Sequence, residues 1–166
     1  MNTALLAPEG TLDEQEQSFV SAIRKHGWFR TRVFAEGDHP EFSFTTGLWV
    51  TLGQPELIVV GLKSEIAHAV LWDVFRDLSS GVQLPLRTRT DSVFGNQPAC
   101  LYKMDKKFYA DYLGWSRWFY AGDDFPCLQL VWPDRSGVFP WEPNFDPAMA
   151  GIQPDLAEDG WGEYRA

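Results

Sequence analysis

Residues 55–81, PELIVVGLKSEIAHAVLWDVFRDLSSG, decide the fold. Leu57-Ile58-Val59-Val60 is apolar at every position, the pattern of a strand covered on both faces. After a short turn Ser64 is read as the N-cap of a helix that runs to about Leu78 and is ended by Gly81. Ile66, Ala67, Val70, Leu71, Val74, Phe75 and Leu78 form one broad apolar stripe along it. A strand buried on both faces, followed at once by an amphipathic helix, requires helices layered on a sheet.

The flanking segments extend that layer. On the N-terminal side Thr11 reads as an N-cap, with Glu14 completing a capping box, Phe19 and Ile23 on one face and Gly27 at the C′ position. From Trp28 the period becomes two: Phe29, Thr31 and Val33 alternate with Arg30 and Arg32. Glu36 to Pro40 is turn chemistry, and a second strand starts at about Glu41, with Phe42, Phe44, Thr46, Leu48 and Val50 on one face, so the pair reads as a hairpin. On the C-terminal side residues 82–104 read as two or three short strands, with Pro85 suggesting an edge and Gly95-Asn96 a turn. Asp105 caps a third helix, weakened by Gly114, in which Phe108, Tyr112, Trp115 and Phe119 fall on one line. Phe125–Trp132 is the last strand, and the Pro- and Gly-rich remainder is irregular. The expectation is a single α+β domain: a mostly antiparallel sheet packed by about three helices, with a flexible arm over 1–10, the domain over 11–141 and an acidic extended tail over 142–166.

Composition narrows the partners. A chain of 166 residues suits one domain, and 45% apolar with 22% charged residues excludes a disordered chain. No apolar run approaches the ~18 residues of a membrane span, and the first twenty residues lack the basic and apolar regions of a secretory leader, so no membrane association is expected. Two cysteines, Cys100 and Cys127, make no disulfide framework, and a cytoplasmic location is the expectation. The net charge of −9 comes from the ends. Glu9, Asp13, Glu14 and Glu16 precede a neutral middle, and Glu142, Asp146, Asp155, Glu158, Asp159 and Glu163 follow it against Arg165 alone. Such a chain is unsuited to a nucleic-acid backbone and suited to a basic protein, whose approach it would accelerate.

Several short blocks occur together: Gly27-Trp28, Phe44-Thr45-Thr46-Gly47-Leu48, Pro55-Glu56-Leu57, Gly61-Leu62, Gln129-Leu130-Val131-Trp132-Pro133-Asp134, Gly137 and Phe139-Pro140-Trp141. In these the chain resembles the DUF4262 family, a bacterial group, over roughly residues 25–143. Phe44 stands where the family more often has tyrosine, and the acidic C-terminal stretch lies outside the pattern. The resemblance implies a fold unit and carries over no catalytic residue.

The residues suited to chemistry are scattered. Cys100 and Cys127 fall in strands among apolar neighbours, as buried cysteines do. His26, His39 and His68 have no second ligand at helical spacing, and no phosphate-cradling glycine loop is present, so neither metal nor cofactor is expected. Glu56 and Asp134 stand at strand ends, where acid–base groups often sit. Asp134, at a Trp-Pro-Asp corner, is better suited to accepting the N–H groups of the turn after it. Arg30 and Arg32 share one strand face and Arg87 and Arg89 another, and the four would clamp an anion if those strands were neighbours. At ~100° per residue Trp72 points away from its helix's apolar stripe, with His68 and Arg76 on the same wet line, a composition typical of interface hot spots. The structural alternative is that the Trp-rich tail covers it, and Trp141 and Trp161 are either staples or recognition residues. The expectation is a non-catalytic binding protein of immunity or antitoxin type that occludes a basic effector through His68, Trp72, Arg76, Trp161, Asp155, Glu158 and Asp159. The alternative is a small ligand-binding domain or enzyme with a pocket between sheet and helix, using Arg30, Arg32, Arg87, Arg89, Glu56 and Asp134.

Overall fold

The computed structural model describes residues 1–162, so the last four residues of the acidic segment, Glu163 and Arg165 among them, lie outside the described residues. The elements are α1 (Glu14–His26), β1 (Phe29–Val33), β2 (Phe42–Thr46), α2 (Leu48–Leu52), β3 (Glu56–Val60), α3 (Ser64–Ser79), β4 (Cys100–Lys103), α4 (Tyr109–Tyr112), α5 (Gly114–Phe119) and β5 (Cys127–Val131). The strands form one sheet in the order β1-β2-β3-β5-β4. All neighbours are antiparallel except β3 and β5, which are parallel. The fold is α+β with a mostly antiparallel sheet. Among the described residues no helix is long and apolar enough to cross a membrane.

Alternation along β3 explains the two cores. Leu57 and Val59 join α3 residues such as Leu71 and Val74 on one face. Ile58 and Val60 join Phe19 and Ile23 of α1 and Phe119 of α5 on the other. Every residue of β3 and β5 is buried, as a strand pair covered on both sides requires. The α3 stripe is buried as its spacing predicts, except for Phe75, which is partly buried, and Ile66, which is exposed.

Several boundaries move for identifiable reasons. The cap of α1 is Asp13, not Thr11: Asp13 and Glu16 form the reciprocal capping box, while the Thr11 hydroxyl donates to the Pro8 carbonyl at 2.6 Å. Ser64 is the first residue of α3 instead of its cap, and its hydroxyl accepts a bond from Arg30. The alternation of β2 stops at Thr46, where Gly47 (φ 116°) turns the chain into the short helix α2, so Leu48 and Val50 are helical. Residues 82–99 hold a single isolated bridge, Thr90 to Ala99, and not the further strands expected. The third helix is broken: Asp105 starts a 3-10 turn, and the chain leaves helical geometry at Leu113 (φ −110°, ψ 39°) between α4 and α5, beside Gly114. At the N-terminus a 3-10 turn, Ala4–Leu6, lies against α1, with the Leu5 carbonyl accepting from Arg24. The C-terminal segment is irregular yet pinned. Gln129 bonds the Pro154 carbonyl and the Leu156 N–H, Ala157 bridges Met104, and Leu156 is buried.

In the β1–β2 hairpin the Thr31 hydroxyl is buried with no hydrogen-bond partner among the described residues. An unsatisfied buried hydroxyl costs on the order of 1–3 kcal/mol. Thr31→Val, nearly the same shape, raises stability by about 1 kcal/mol. The measure is a higher urea midpoint at unchanged m-value.

Candidate functional site

The strongest acid candidate is wholly internal. Glu56 is fully buried, and its carboxylate accepts five hydrogen bonds. Oε1 takes the Thr45 hydroxyl at 2.8 Å and the Leu48 N–H at 3.1 Å. Oε2 takes the Gly47 and Trp49 N–H groups, each at 3.1 Å, and the Tyr120 hydroxyl. The three backbone donors are those left open at the start of α2. Burial pushes the Glu56 carboxyl above its usual range, and the hydrogen bonds pull the other way. Burial and then the charge of Glu56 drive the Tyr120 hydroxyl far above its ordinary value. With every acceptor position occupied, this acid is a structural capping group.

Gly47 explains why the blocks travel together. A Cβ there would lie 2.6 Å from the Gly27 carbonyl oxygen and 2.8 Å from Trp28 Cα. Only glycine fits both that approach and the positive φ. Gly27-Trp28, Thr45 to Leu48 and Glu56 are therefore parts of one construction. Asp134 is likewise consumed: Oδ1 accepts the Ser136 and Val138 N–H groups at 2.8 and 3.0 Å, and Oδ2 that of Asp146 at 3.0 Å. These bonds, that from Val138 foremost, hold its carboxyl below the ordinary range. Cys127 is buried, and burial raises its thiol well above the usual value, away from nucleophilic use.

The four arginines do not meet. Arg30 and Arg32 are on β1 at one edge of the sheet, whereas the Arg87 N–H bonds the Leu101 carbonyl of β4 at the other edge. Arg87 and Arg89 are not in a strand, and Arg89 is ion-paired with Glu142 and donates to the Gly137 carbonyl. The strand order thus overturns the four-guanidinium clamp. Arg32 pairs with Glu41 at 3.1 Å. Arg30, half-buried, is met instead by two hydroxyls, Ser64 at 2.9 Å and Ser43 at 3.3 Å. Burial and then the neighbouring Arg32 lower its pKa, and Glu41 offsets part of that.

The expected partner-binding residues also separate. Trp161 donates its ring N–H to Gln129 and packs 5.7 Å from Trp141, so it is a staple. Asp155 accepts the N–H groups of Ala157 and Trp161, and Glu158 lies 3.6 Å from Lys103 of β4. Asp159 is exposed beside them. All four belong to the β4 edge. His68, Trp72 and Arg76 are exposed on α3, beyond the β1 edge. The described residues of the tail do not cover Trp72, which is 39% exposed and packs on Trp28 at 5.6 Å and Phe75 at 6.0 Å. Trp28 and Phe75 also stack on each other, so the three rings are mutually braced. The Arg76 guanidinium lies 6.0 Å from the Trp72 ring and is ion-paired with Asp73.

Beside this stack lies an open cleft of about 500 Å³. Ala22 and His26 of α1, Trp28, Phe29 and Arg30 at the start of β1, and His68 and Trp72 of α3 line it. Sequence reasoning found Arg30, His68 and Trp72 separately and missed their convergence with His26 and Trp28. The outward position of Trp72 was the only signal pointing there.

Fold and site together define an α+β protein with internally satisfied acids and an aromatic-walled cleft at one sheet edge. The model of the family described as Domain of unknown function (DUF4262) matches residues 22–146, most of the chain, which therefore belongs to the DUF4262 family. No curated protein and no solved structure matches it.

Two outcomes follow for the internal acids. Glu56→Gln sets an amide N–H₂ among five donors and lowers stability by about 3 kcal/mol. Combined with Tyr120→Phe, the loss is smaller than the sum of the singles in a urea-unfolding double-mutant cycle. Asp134 has a lowered folded pKa, so its stabilisation is complete above the ordinary aspartate range and lost as pH falls through the lowered value. Asp134→Asn therefore lowers the melting temperature near neutral pH and flattens its fall on acidification. Glu56, with a raised folded pKa, has the opposite sign, its share declining as pH rises above the ordinary glutamate range.

Proposed function

We propose that this chain is a non-catalytic cytoplasmic binding protein of immunity or antitoxin type, which occludes a basic effector with the exposed face of α3. The observation that carries the reading is Trp72, a large apolar ring left 39% exposed on a braced stack. Hot spots are enriched in Trp and Arg, and a ring already held in place loses little freedom on binding. Glu65, two turns before Trp72, extends the wet line of His68, Trp72 and Arg76, and Phe29 beside it is 37% exposed. Two further features favour binding over catalysis. Glu56 and Asp134 are occupied by internal hydrogen bonds. The net charge of −9 would speed the approach of a basic protein.

The test uses the full chain as bait in an extract of its host, against Trp72→Ala. The effector is then purified and its association rate measured across salt concentrations. The expected result is a basic protein whose association slows as salt rises and whose affinity falls by about 1–3 kcal/mol with Trp72→Ala. A partner that binds the variant as tightly as the native chain would overturn the reading.

A further inference from the structure

We propose that the cleft at the β1 edge is a binding site for a small planar aromatic anion, an aryl carboxylate or aryl phosphate, which stacks on the Trp28–Trp72 platform and sets its charge on Arg30. The cleft shares Phe29, His68 and Trp72 with the proposed docking face, but this inference does not rest on that reading, because the site requires no macromolecular partner and is tested without one. The cleft's volume of about 500 Å³ is that of a small-molecule site. Its apolar wall is made of flat rings. Trp28 is buried beneath, Trp72 and Phe29 are exposed at the rim, and the Trp28 and Trp72 planes lie within 23° of each other. A planar ligand adds one more ring to that stack, the arrangement aromatic faces favour.

The polar groups select the charge. Among the described residues, the titratable ones lining the cleft are Arg30, His26 and His68, with no carboxylate, in a chain of net charge −9. Arg30 is the distinctive member. Its two hydrogen bonds both leave from Nη1, to the Ser43 and Ser64 hydroxyls, which aim the group without neutralising it. Its remaining N–H donors have no partner among the described residues. Two positions along the same strand, Arg32 is neutralised by Glu41. A half-buried guanidinium that is oriented but not paired suits an oxyanion, which it can bind through two parallel N–H bonds. His26 of α1 and His68 of α3 also line the cleft and are able to donate to a second oxygen of the anion.

The full chain is titrated by calorimetry with 2-naphthoate and 2-naphthyl phosphate, and in parallel with 2-naphthalenemethanol, acetate and inorganic phosphate. One or both aryl anions are expected to bind at least about tenfold more tightly than the neutral alcohol or the ringless anions. The tighter of the two identifies carboxylate or phosphate as the preferred head. Arg30→Gln abolishes the preference for anion over alcohol, Trp72→Ala weakens every ring-bearing probe, and Arg32→Gln changes neither. In the native chain the NMR shifts induced by the best aryl anion centre on the Trp28 and Trp72 indoles and Arg30, a reading that does not depend on any variant folding. Equal binding of the aryl anions and the alcohol, an anion preference that survives Arg30→Gln, or shifts centred elsewhere would overturn the proposal.

Discussion

A single buried carboxylate organises this molecule. The five donors to Glu56 come from the end of β2, the turn into α2, α2 itself and the end of α5, so one side chain at the start of β3 ties together segments that are remote in sequence. The Thr45 hydroxyl, which donates to Glu56, accepts in turn from the Leu57 N–H at 2.9 Å, and Ser116 of α5 bonds both the Thr46 hydroxyl and the Thr45 carbonyl. Desolvating a carboxylate is costly, and apolar residues of similar volume would often serve stability as well. A carboxylate with every acceptor position filled, however, tolerates one arrangement of its donors. It holds Gly47 against Gly27 and Trp28, while Thr51 of α2 donates to the same Gly27 carbonyl at 2.6 Å. Trp28 is thereby fixed as the floor of the cleft. The internal network and the open site are the two ends of one mechanical chain, running from Glu56 through Gly47 and Trp28 to Trp72.

That chain explains what could be read from residues alone. The hairpin, the doubly covered strand β3 and the helix α3 are written in local periodicity, because burial of alternate or stripe positions is their dominant energy. Helix α2 is not. Phe42 to Val50 keep a period of two, and the stop at Thr46 is imposed by a carboxylate nine positions beyond Gly47. The arginine clamp failed for a similar reason: alternation says which residues share a strand face, not which strands are neighbours. The outward direction of Trp72 follows from helical geometry. That Trp28 and His26 come to meet it depends on how α1 and β1 dock beside α3, for which neither segment carries a sequence signal.

Charge counted along the chain sets the long-range attraction of a partner, not which acids are left free to touch it. Asp155 and Asp134 are turned onto backbone N–H groups, Glu142 onto Arg89, and Asp13 and Glu16 onto the start of α1. The acidic C-terminal segment therefore does much of its work internally, closing turns that its prolines and glycines open. Its Trp161, on Gln129, has the same role, as does Trp141 just before the segment, stacked 4.8 Å from Phe139. Of the eight tryptophans, Trp141 and Trp161 staple the β4 edge, Trp28 and Trp72 wall the cleft at the β1 edge, and Trp49, Trp115, Trp118 and Trp132 pack in or against the two cores.

The two edges of the sheet are handled differently, and the difference locates the site. At β4 the chain covers its own edge: the Arg87 N–H reaches the Leu101 carbonyl, and the Glu158 N–H reaches that of Lys103. At β1, the other edge strand, charged side chains stand where another strand could add, a usual defence against edge-to-edge pairing. For that purpose Arg30 and Arg32 would be equivalent, and each would be most stable beside a carboxylate. Arg32 has one in Glu41, whereas Arg30 is half-buried and held by two serine hydroxyls, a less favourable place for a cation if edge protection were its only role. The cost of leaving that guanidinium unpaired is offset when an anion enters the cleft, so the asymmetry between two arginines on one strand is what separates a protected edge from a binding site.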